Sequence, residues 1–223
     1  MDTSVEKWKG IAQSELDRLG APLPAELVLA IIRRESNGTA GAVNPQSGAS
    51  GLMQVMPIAL KDYNQNHSDK YTMEDLRHTD QLSATIQIRV GAWILIQFFR
   101  SAYRYLKSRL STVSLDDLVK ITDTFYAAGP ANSKGRLNKI VPTWENIKSS
   151  FPTWDRIKPA EKVWKRSNDW GAKWDLKSID SWLESNLSTN TKKTMSGAII
   201  GIIIIVIAWQ YFGRSANAKR SET

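Results

Sequence analysis

The chain of 223 residues contains no cysteine and only two histidines. The lack of cysteine excludes a disulfide framework, a thiolate metal site and a cysteine nucleophile. The histidines, His67 and His78, are too few for a histidine-rich metal site, and we expect both in surface loops. The sequence therefore predicts a protein that works without a metal ion or any other cofactor.

Acidic residues are in deficit, with 22 against 30 lysines and arginines, which gives a net charge of +8. A basic balance suits a polyanionic partner such as nucleic acid, anionic lipid or an anionic cell wall. No zinc finger, basic helix or aromatic ribonucleoprotein motif is present, so nucleic acid is not an expected partner. The charged, mixed first nine residues lack the apolar core of a signal peptide, so no export signal is expected there.

Charge is absent from one long run near the C-terminus, residues 194–213, and residues 198–212 are almost wholly aliphatic or aromatic. Twenty residues of helix span about 30 Å, which matches the hydrocarbon core of a bilayer. The run is rich in isoleucine, yet in lipid a helix is favoured because it satisfies its own backbone groups. We therefore predict a single transmembrane helix at 196–213 followed by a basic tail at 214–223. The alternative is a buried core strand.

The predicted membrane helix carries Gly197 and Gly201, a GxxxG pair whose spacing lets two helices pack closely. A homodimer through this face is therefore a hypothesis. Basic residues flank both ends of the helix, so the positive-inside rule does not fix its orientation.

The rest of the chain divides into a helical domain at 1–141, a tryptophan-rich spacer at 142–183 and a polar tether at 184–195. Apolar periodicity and end signals predict helices over 5–19, 24–36, 81–109 and 115–128. Residues 39–57 are turn-rich and have room for a small hairpin. No segment alternates as a strand should, so the predicted fold class is all-α, with that hairpin at most.

The spacer at 142–183 contains six of the nine tryptophans and repeats the pattern Pro-Thr-Trp-acidic residue at 142 and again at 152. Tryptophan can stack on sugar faces or seat a protein at a membrane interface. It can also bury area where short helices lack a large core of their own. We favour this second interpretation, in which the spacer packs against the first domain.

Glu35 is the leading candidate for chemistry. With Val28, Ile31 and Ile32 it occupies positions i, i+3, i+4 and i+7, which places it on the apolar stripe of its helix. Burial against apolar side chains favours the protonated form of a carboxyl, and a protonated acid is what glycosidic bond cleavage requires. The alternative is a structural glutamate paired with Arg33, Arg34 or a more distant arginine.

Two further segments fit a ligand site. Residues 47–51 are serine, glycine and alanine, so the backbone there can approach a ligand closely. Gln54 can donate and accept hydrogen bonds, while Met53 and Met56 offer soft apolar contact. Tyr126, at the end of its helix, can direct its hydroxyl into a cleft. The alternatives are an ordinary tight turn and a core aromatic residue.

Taken together, Glu35-Ser36, residues 48–57 and residues 126–129 resemble the soluble lytic transglycosylase family of peptidoglycan-cleaving enzymes. Residues 86–95 resemble that family's central helix, and the resemblance covers roughly residues 22–135. It implies a lysozyme-like α-domain that cleaves the β-1,4 bond between N-acetylmuramic acid and N-acetylglucosamine.

The resemblance implies that Glu35 acts first as general acid and then as general base on the C6 hydroxyl, which gives a 1,6-anhydro sugar. The acetamido group of the substrate assists, so no second carboxylate is needed. The absence of Asp and Glu between Ser36 and Lys61 agrees with this. The implied substrate-binding residues are Ser36, Asn44, Ser47, Ser50, Met53, Gln54, Met56, Tyr126 and Ala127.

Among these residues, Tyr126 matches the tyrosine that orients the acid, and Ala127 stands where the family usually has asparagine. Asn44 and Ser47 are alternative matches for a family serine, because this loop is one residue longer.

The resulting prediction is a membrane-anchored lytic transglycosylase with peptidoglycan as its partner. It would act in a bacteriophage particle with an internal membrane, opening the wall locally as the genome is delivered, or in the bacterial inner membrane facing the periplasm. One alternative is hydrolysis by the same fold, as in goose-type lysozymes. Another is a non-catalytic wall-binding or membrane assembly module.

Overall fold

The computed structural model describes residues 3–189, and this part of the chain is almost entirely helical. The predicted transmembrane helix, the basic tail, the Gly197/Gly201 pair and the end of the tether lie outside the described residues. In chain order the helices are α1 (Thr3–Glu6), α2 (Lys9–Arg18), α3 (Ala25–Glu35), α4 (Pro57–Asn66), α5 (Gln81–Lys107), α6 (Leu115–Ala128), α7 (Pro130–Leu137), α8 (Trp144–Ser150), α9 (Ile157–Asp169) and α10 (Leu176–Thr189), with a 3₁₀ turn at Glu74–Leu76.

Helix α5 forms the centre of the core. It begins where the Asp80 carboxylate accepts a hydrogen bond from the Ser83 N–H at 3.0 Å, an N-cap that satisfies a free donor of the first turn. By length and mean hydropathy, 1.4, it is the one helix within residues 3–189 apolar enough to cross a membrane. However, 67% of its most apolar window is buried inside the protein, which is typical of a core helix.

Helix α3 is buried along most of its length and delivers Glu35 to its last position. The chain then turns through Asn37 and Gly38, which adopt left-handed φ angles of 56° and 80°. A Cβ atom on Gly38 would lie 2.3 Å from the Ser4 carbonyl oxygen, so this turn requires glycine. The turn therefore fixes the point at which α3 ends, and with it the position of Glu35.

The helix predicted over residues 5–19 is interrupted. Helix α1 ends at Glu6 and α2 starts at Lys9, because Trp8 turns inward between them. Its indole Nε1 donates to the Gly38 carbonyl at 3.1 Å, which ties the N-terminal helices to the turn after Glu35.

The turn-rich segment contains two isolated antiparallel bridges, Val43 to Ser50 and Ser50 to Val55, and no longer strand forms within the described residues. Contacts with helix α5 fix the position of this loop. The buried Gln87 Oε1 accepts from the Leu52 N–H at 2.9 Å, and a Cβ on Gly91 would lie 2.4 Å from the Met53 sulfur. The predicted hairpin is thus a compact loop pinned to the core helix.

The tryptophan-rich spacer packs on the rest of the fold. Helix α9 lies against α3 and α6, and α8 buries Trp144 to 1% exposure. Both belong to the same hydrophobic cluster as the core of residues 1–141, which agrees with the packing interpretation. The boundary at 141/142 itself stays a prediction.

Helix α10 continues to Thr189, six residues into the segment predicted as a tether. Leu183 is buried, and the Glu184 carboxylate accepts from the Tyr103 hydroxyl at 2.7 Å. The start of that polar stretch is therefore held against α5.

Candidate active site

A cavity of about 420 Å³ opens at the end of α3. Its walls are the end of α3, the turn-rich segment at 39–57 (the glycine-rich loop), the first turns of α4, the middle of α5, the end of α6 and the beginning of α9. The lining residues are Arg34, Glu35, Asn44, Ser47, Ala49, Gln54, Val55, Met56, Ile58, Ala59, Asp62, Trp93, Ile94, Gln97, Phe98, Tyr126, Ala127, Gly129, Arg156 and Pro159.

Most of the predicted site residues meet here. Those that line the cavity are Glu35, Asn44, Ser47, Gln54, Met56, Tyr126 and Ala127. Segments that are distant in sequence are therefore brought to one concave site. Whether each of these residues touches substrate stays a prediction.

Three predicted contacts, Ser36, Ser50 and Met53, do not line the cavity. The Ser36 hydroxyl donates to the Leu52 carbonyl at 2.8 Å, which ties the end of α3 to the loop. Ser50 and Met53 are fully buried, and Met53 packs on α5. The three residues therefore lie behind the cavity wall, where they support it, and their direct contact with substrate stays a prediction.

Glu35 lies at the cavity with its side chain 21% exposed, and its environment differs from the apolar one expected. Arg34 Nε lies 2.9 Å from Glu35 Oε1, and Arg34 Nη2 contacts the same oxygen. Arg34 Nη1 in turn contacts Asp123 on α6, whose side chain is 2% exposed. The pairing with Arg34, one of the alternatives considered, is thus present, yet the acid still faces open space.

Tyr126 is placed beside this cluster without bonding to the acid. Its hydroxyl donates to the Met53 carbonyl at 2.8 Å, and its ring lies below the Arg34 guanidinium at 5.8 Å. Burial raises the pKa of Tyr126 above its ordinary value, and the nearby charge of Glu35 adds to the rise. The tyrosine is therefore a neutral donor at physiological pH that joins α6 to the loop, and its role in orienting the acid stays a prediction.

Gln54 combines an unusual backbone with a fixed side chain. Its φ of 48° is in the left-handed region, which is uncommon for a residue other than glycine and often marks a functional site. Its Nε2 donates to the carbonyls of Ala42 and Gly51 at 3.1 and 3.0 Å. The amide is therefore held rigidly at the cavity wall.

Asn44 and Ser47 both line the cavity, and Asn44 Oδ1 accepts the backbone N–H of Ser47 at 3.2 Å. The choice between them as the match for the family serine stays open.

Sequence reasoning missed the wall that α5 provides, namely Trp93, Ile94, Gln97 and Phe98. Gln97 gave a usable signal, because it is a polar residue within an otherwise apolar stretch of a core helix. Indoles and amides of this kind can contact the faces and hydroxyls of a sugar.

Asp62 was also missed. The stretch without acidic residues ends at Lys61, and Asp62, the next residue, lines the cavity and is 6% exposed. Burial raises the pKa of Asp62, against the opposing effect of a hydrogen bond from Asn66 Nδ2 at 3.3 Å. The cavity thus contains two carboxyl groups.

Two further missed residues, Arg156 and Pro159, come from the tryptophan-rich spacer. They follow Glu35 by more than a hundred residues, so no local pattern could have placed them there. Within residues 3–189 no group of three or more potential His, Cys, Asp or Glu ligands is assembled for a metal ion.

Comparison with known families gives one match. Residues 19–134 match the Transglycosylase SLT domain, a range that includes Glu35, the glycine-rich loop, α5 and Tyr126. This range is more than half of the chain, and the chain therefore belongs to the transglycosylase SLT family, whose activity is the cleavage of peptidoglycan. A search of curated proteins found no match.

Proposed function

We propose that this protein is a lytic transglycosylase that cleaves the β-1,4 bond between N-acetylmuramic acid and N-acetylglucosamine and leaves a 1,6-anhydro end. One observation carries the proposal. Glu35, the acid singled out by the family motif, lines a cavity of about 420 Å³, and most of its other lining residues also fall within the matched range 19–134. A concave site with ionisable side chains at its wall is the arrangement expected of an active site.

The chemistry requires Glu35 to move one proton twice. It first donates a proton to the glycosidic oxygen as the bond to the muramic acid C1 breaks, with the substrate's acetamido group assisting at C1. It then accepts the proton of the C6 hydroxyl as that oxygen bonds to C1, which returns the carboxyl to its starting form.

The test is mass spectrometry of the fragments released from purified peptidoglycan by the full-length chain. Muropeptides that end in 1,6-anhydromuramic acid are the expected products. Water-added reducing ends would refute the transglycosylase reaction, and no release at all would favour a non-catalytic wall-binding or assembly module.

Hydrolysis is the second candidate, because Asp62 places another carboxyl at the cavity wall. In glycosidases that invert configuration, a second carboxylate activates the attacking water. The same product analysis separates the two reactions. A hydrolytic product that disappears in the Asp62→Asn variant would establish this alternative.

We further propose that residues 196–213 anchor the enzyme in a bilayer. The support is the uncharged run at 194–213, together with a net charge of +8 that suits anionic lipid or wall. The location is a phage particle with an internal membrane, or the inner membrane with the domain facing the periplasm. Detection of the chain in purified particles would support the first, and its recovery only from host membranes would support the second.

A further inference from the structure

One wall of the cavity lies outside the residues that match the family. The match ends at residue 134, whereas Arg156 and Pro159 line the same cavity as Glu35. The segment that follows the family domain in this chain therefore completes its candidate active site.

The position of this wall is fixed by packing. Helix α9 starts directly after Arg156 and lies against α3, which carries Glu35, and α6, which carries Tyr126. Ile157, Ala160 and Val163 of α9 are buried in the shared core. The Arg156 side chain is consequently presented to the cavity from a rigid base.

The two arginines that line the cavity, Arg34 and Arg156, differ in their ion-pair contacts. Arg34 contacts the carboxylates of Glu35 and Asp123, whereas the contact described for Arg156 is a looser one, with Nε 3.5 Å from Asp155 Oδ1. The Arg156 side chain keeps 25% of its surface exposed. Its guanidinium can therefore bind a ligand without first giving up a close buried partner.

We propose that Arg156 forms a carboxylate-binding subsite of the cleft. The inference rests on the proposed function, since peptidoglycan, unlike neutral chitin-type glycan, carries carboxylates. A guanidinium binds a carboxylate through two parallel N–H donors, which gives both attraction and orientation. The carboxylate has two sources, the lactyl group of peptide-free muramic acid and the free carboxyls of the stem peptide.

The experiment compares the full-length wild type, Arg156→Gln and Arg166→Gln. Arg166 is a matched control, because it lies on α9, the helix that Arg156 precedes, but does not line the cavity. Each variant is assayed for kcat/KM on peptide-bearing strands and on peptide-free strands, and for binding of a neutral N-acetylglucosamine oligomer. The melting temperature of each variant is measured alongside.

We expect Arg156→Gln to lose about tenfold in kcat/KM, as suits one charge-assisted hydrogen-bonded contact. The loss should not extend to binding of the neutral oligomer, and Arg166→Gln should behave as the wild type. A loss only on peptide-bearing strands identifies stem carboxyls as the ligand, and a loss only on peptide-free strands identifies the lactyl group. A loss on both strands means that either source occupies the subsite.

Unchanged kinetics in Arg156→Gln, or equal weakening toward the neutral oligomer, would overturn the subsite. Failure of the proposed function is a separate outcome, since there the wild type itself would not cleave either strand.

A second inference rests on different contacts, those of Arg34. Its Nη1 contacts the buried Asp123, while Nε and Nη2 both contact the single Glu35 oxygen Oε1. The guanidinium is planar and is held at both ends, so it limits rotation of the Glu35 carboxyl and leaves Oε2 unblocked by Arg34.

We infer that Arg34, anchored by Asp123, is a positioning residue that aims Glu35 at the glycosidic oxygen. This inference also depends on the proposed function. Small misplacements of a reacting group can reduce a rate by as much as a hundredfold, so this contact should act on kcat more than on KM.

The test separates positioning from stability with one single and one double variant. Arg34→Gln should lower kcat by at least about tenfold with KM nearly unchanged, and it should lower the melting temperature because Asp123 is left buried and unpaired. Adding Asp123→Asn removes that lone charge, so the double variant should regain most of the melting temperature but not kcat.

Recovery of kcat together with the melting temperature would show that the pair is merely structural, and normal kcat in Arg34→Gln would overturn the inference outright. An inactive wild type would instead refute the proposed function.

Discussion

Glu15 and Glu35 are both glutamates held by arginine, and they differ in how much of the carboxylate is covered. Glu15 on α2 is 3% exposed, with Arg18 Nε at 2.6 Å from Oε2 and Arg89 Nη2 at 2.9 Å from Oε1. Glu35 is touched by Arg34 at one oxygen and lines a cavity. In the first cluster, Glu15 with Arg18 and Arg89, both carboxylate oxygens are bonded, and we call it the closed cluster. In the second, Glu35 with Arg34, one oxygen is left for a ligand in the cavity, and we call it the open cluster.

The surroundings of Glu15 show what a purely structural carboxylate requires. Burial alone would raise the pKa of Glu15, but the hydrogen bonds from Arg89 and Arg18 outweigh it and hold the pKa below its ordinary value. The net effect favours an ion that never has to take up a proton. A carboxyl group with one oxygen facing a cavity, as in Glu35, suits proton transfer. Pairing with arginine alone therefore does not distinguish a structural carboxylate from a catalytic one.

The largest stability effect should follow from breaking the closed cluster. Glu15→Gln removes the carboxylate partner of Arg89 and Arg18. Because both arginines stay partly exposed, the free energy of unfolding should fall by about 2 kcal/mol, less than for a fully buried pair. Urea denaturation measures this. The exposed Glu6→Gln is the control and should change stability by less than about 0.5 kcal/mol. A loss in Glu15→Gln as small as in the control would contradict the comparison.

The same variant has a defined dependence on pH. Because the pKa of Glu15 is lowered in the folded state, its stabilising effect is full above the ordinary glutamate value and fades as pH falls through the lowered one. The stability difference between wild type and Glu15→Gln should therefore shrink in acid. A difference that grows toward low pH would reverse the assigned sign.

A smaller loss of stability should follow from removing the Tyr126 hydroxyl, which lies beside the open cluster. Tyr126→Phe leaves the buried Met53 carbonyl without its donor and should lower stability by about 1–2 kcal/mol. It should also reduce the cleavage rate, because the loop and α6 meet at this bond. Tyr103→Phe loses a comparable bond to Glu184 outside the cavity and serves as the matched control. Equal activity in the two variants would remove the role of Tyr126.

The smallest effect concerns Asp62. Its raised pKa means that the folded state favours the protonated form, so ionisation of Asp62 weakens the fold as pH rises through the folded pKa. Asp62→Asn should therefore stabilise the protein by about 0.5 kcal/mol at neutral pH, and by less in acid. Thermal denaturation at two pH values measures this difference. A variant that is destabilised only at neutral pH would show that the carboxylate is needed.

The sequence predicted the parts of the site that depend on local pattern. Apolar spacing located Glu35 at a helix end, and residue types located the loop and Tyr126. The partners of these residues could not be predicted, because Arg34 and Asp123 are 89 positions apart and Arg156 lies at the start of α9, far along the chain. The break between α1 and α2 could not be predicted either, since it depends on a tertiary hydrogen bond from Trp8 to Gly38.

The burial of two loop residues could not be predicted for a related reason. Ser50 and Met53 have the chemistry of ligand contacts, but both are buried, Met53 against α5, and burial is a property of the assembled fold. The spacer shows the opposite case. Its tryptophans predicted packing, and its helices pack as expected, but nothing local indicated that Arg156 and Pro159 would complete the cavity wall.

The most direct test of the account is the rate at which Glu35→Gln releases soluble fragments from purified peptidoglycan, compared with the wild type at equal folded fraction. Glutamine keeps an acceptor for Arg34 but cannot transfer a proton, so we predict a loss of at least about a hundredfold with little change in melting temperature. Release at a rate near that of the wild type would contradict proton transfer by Glu35, and with it the assignment of this cavity as the active site.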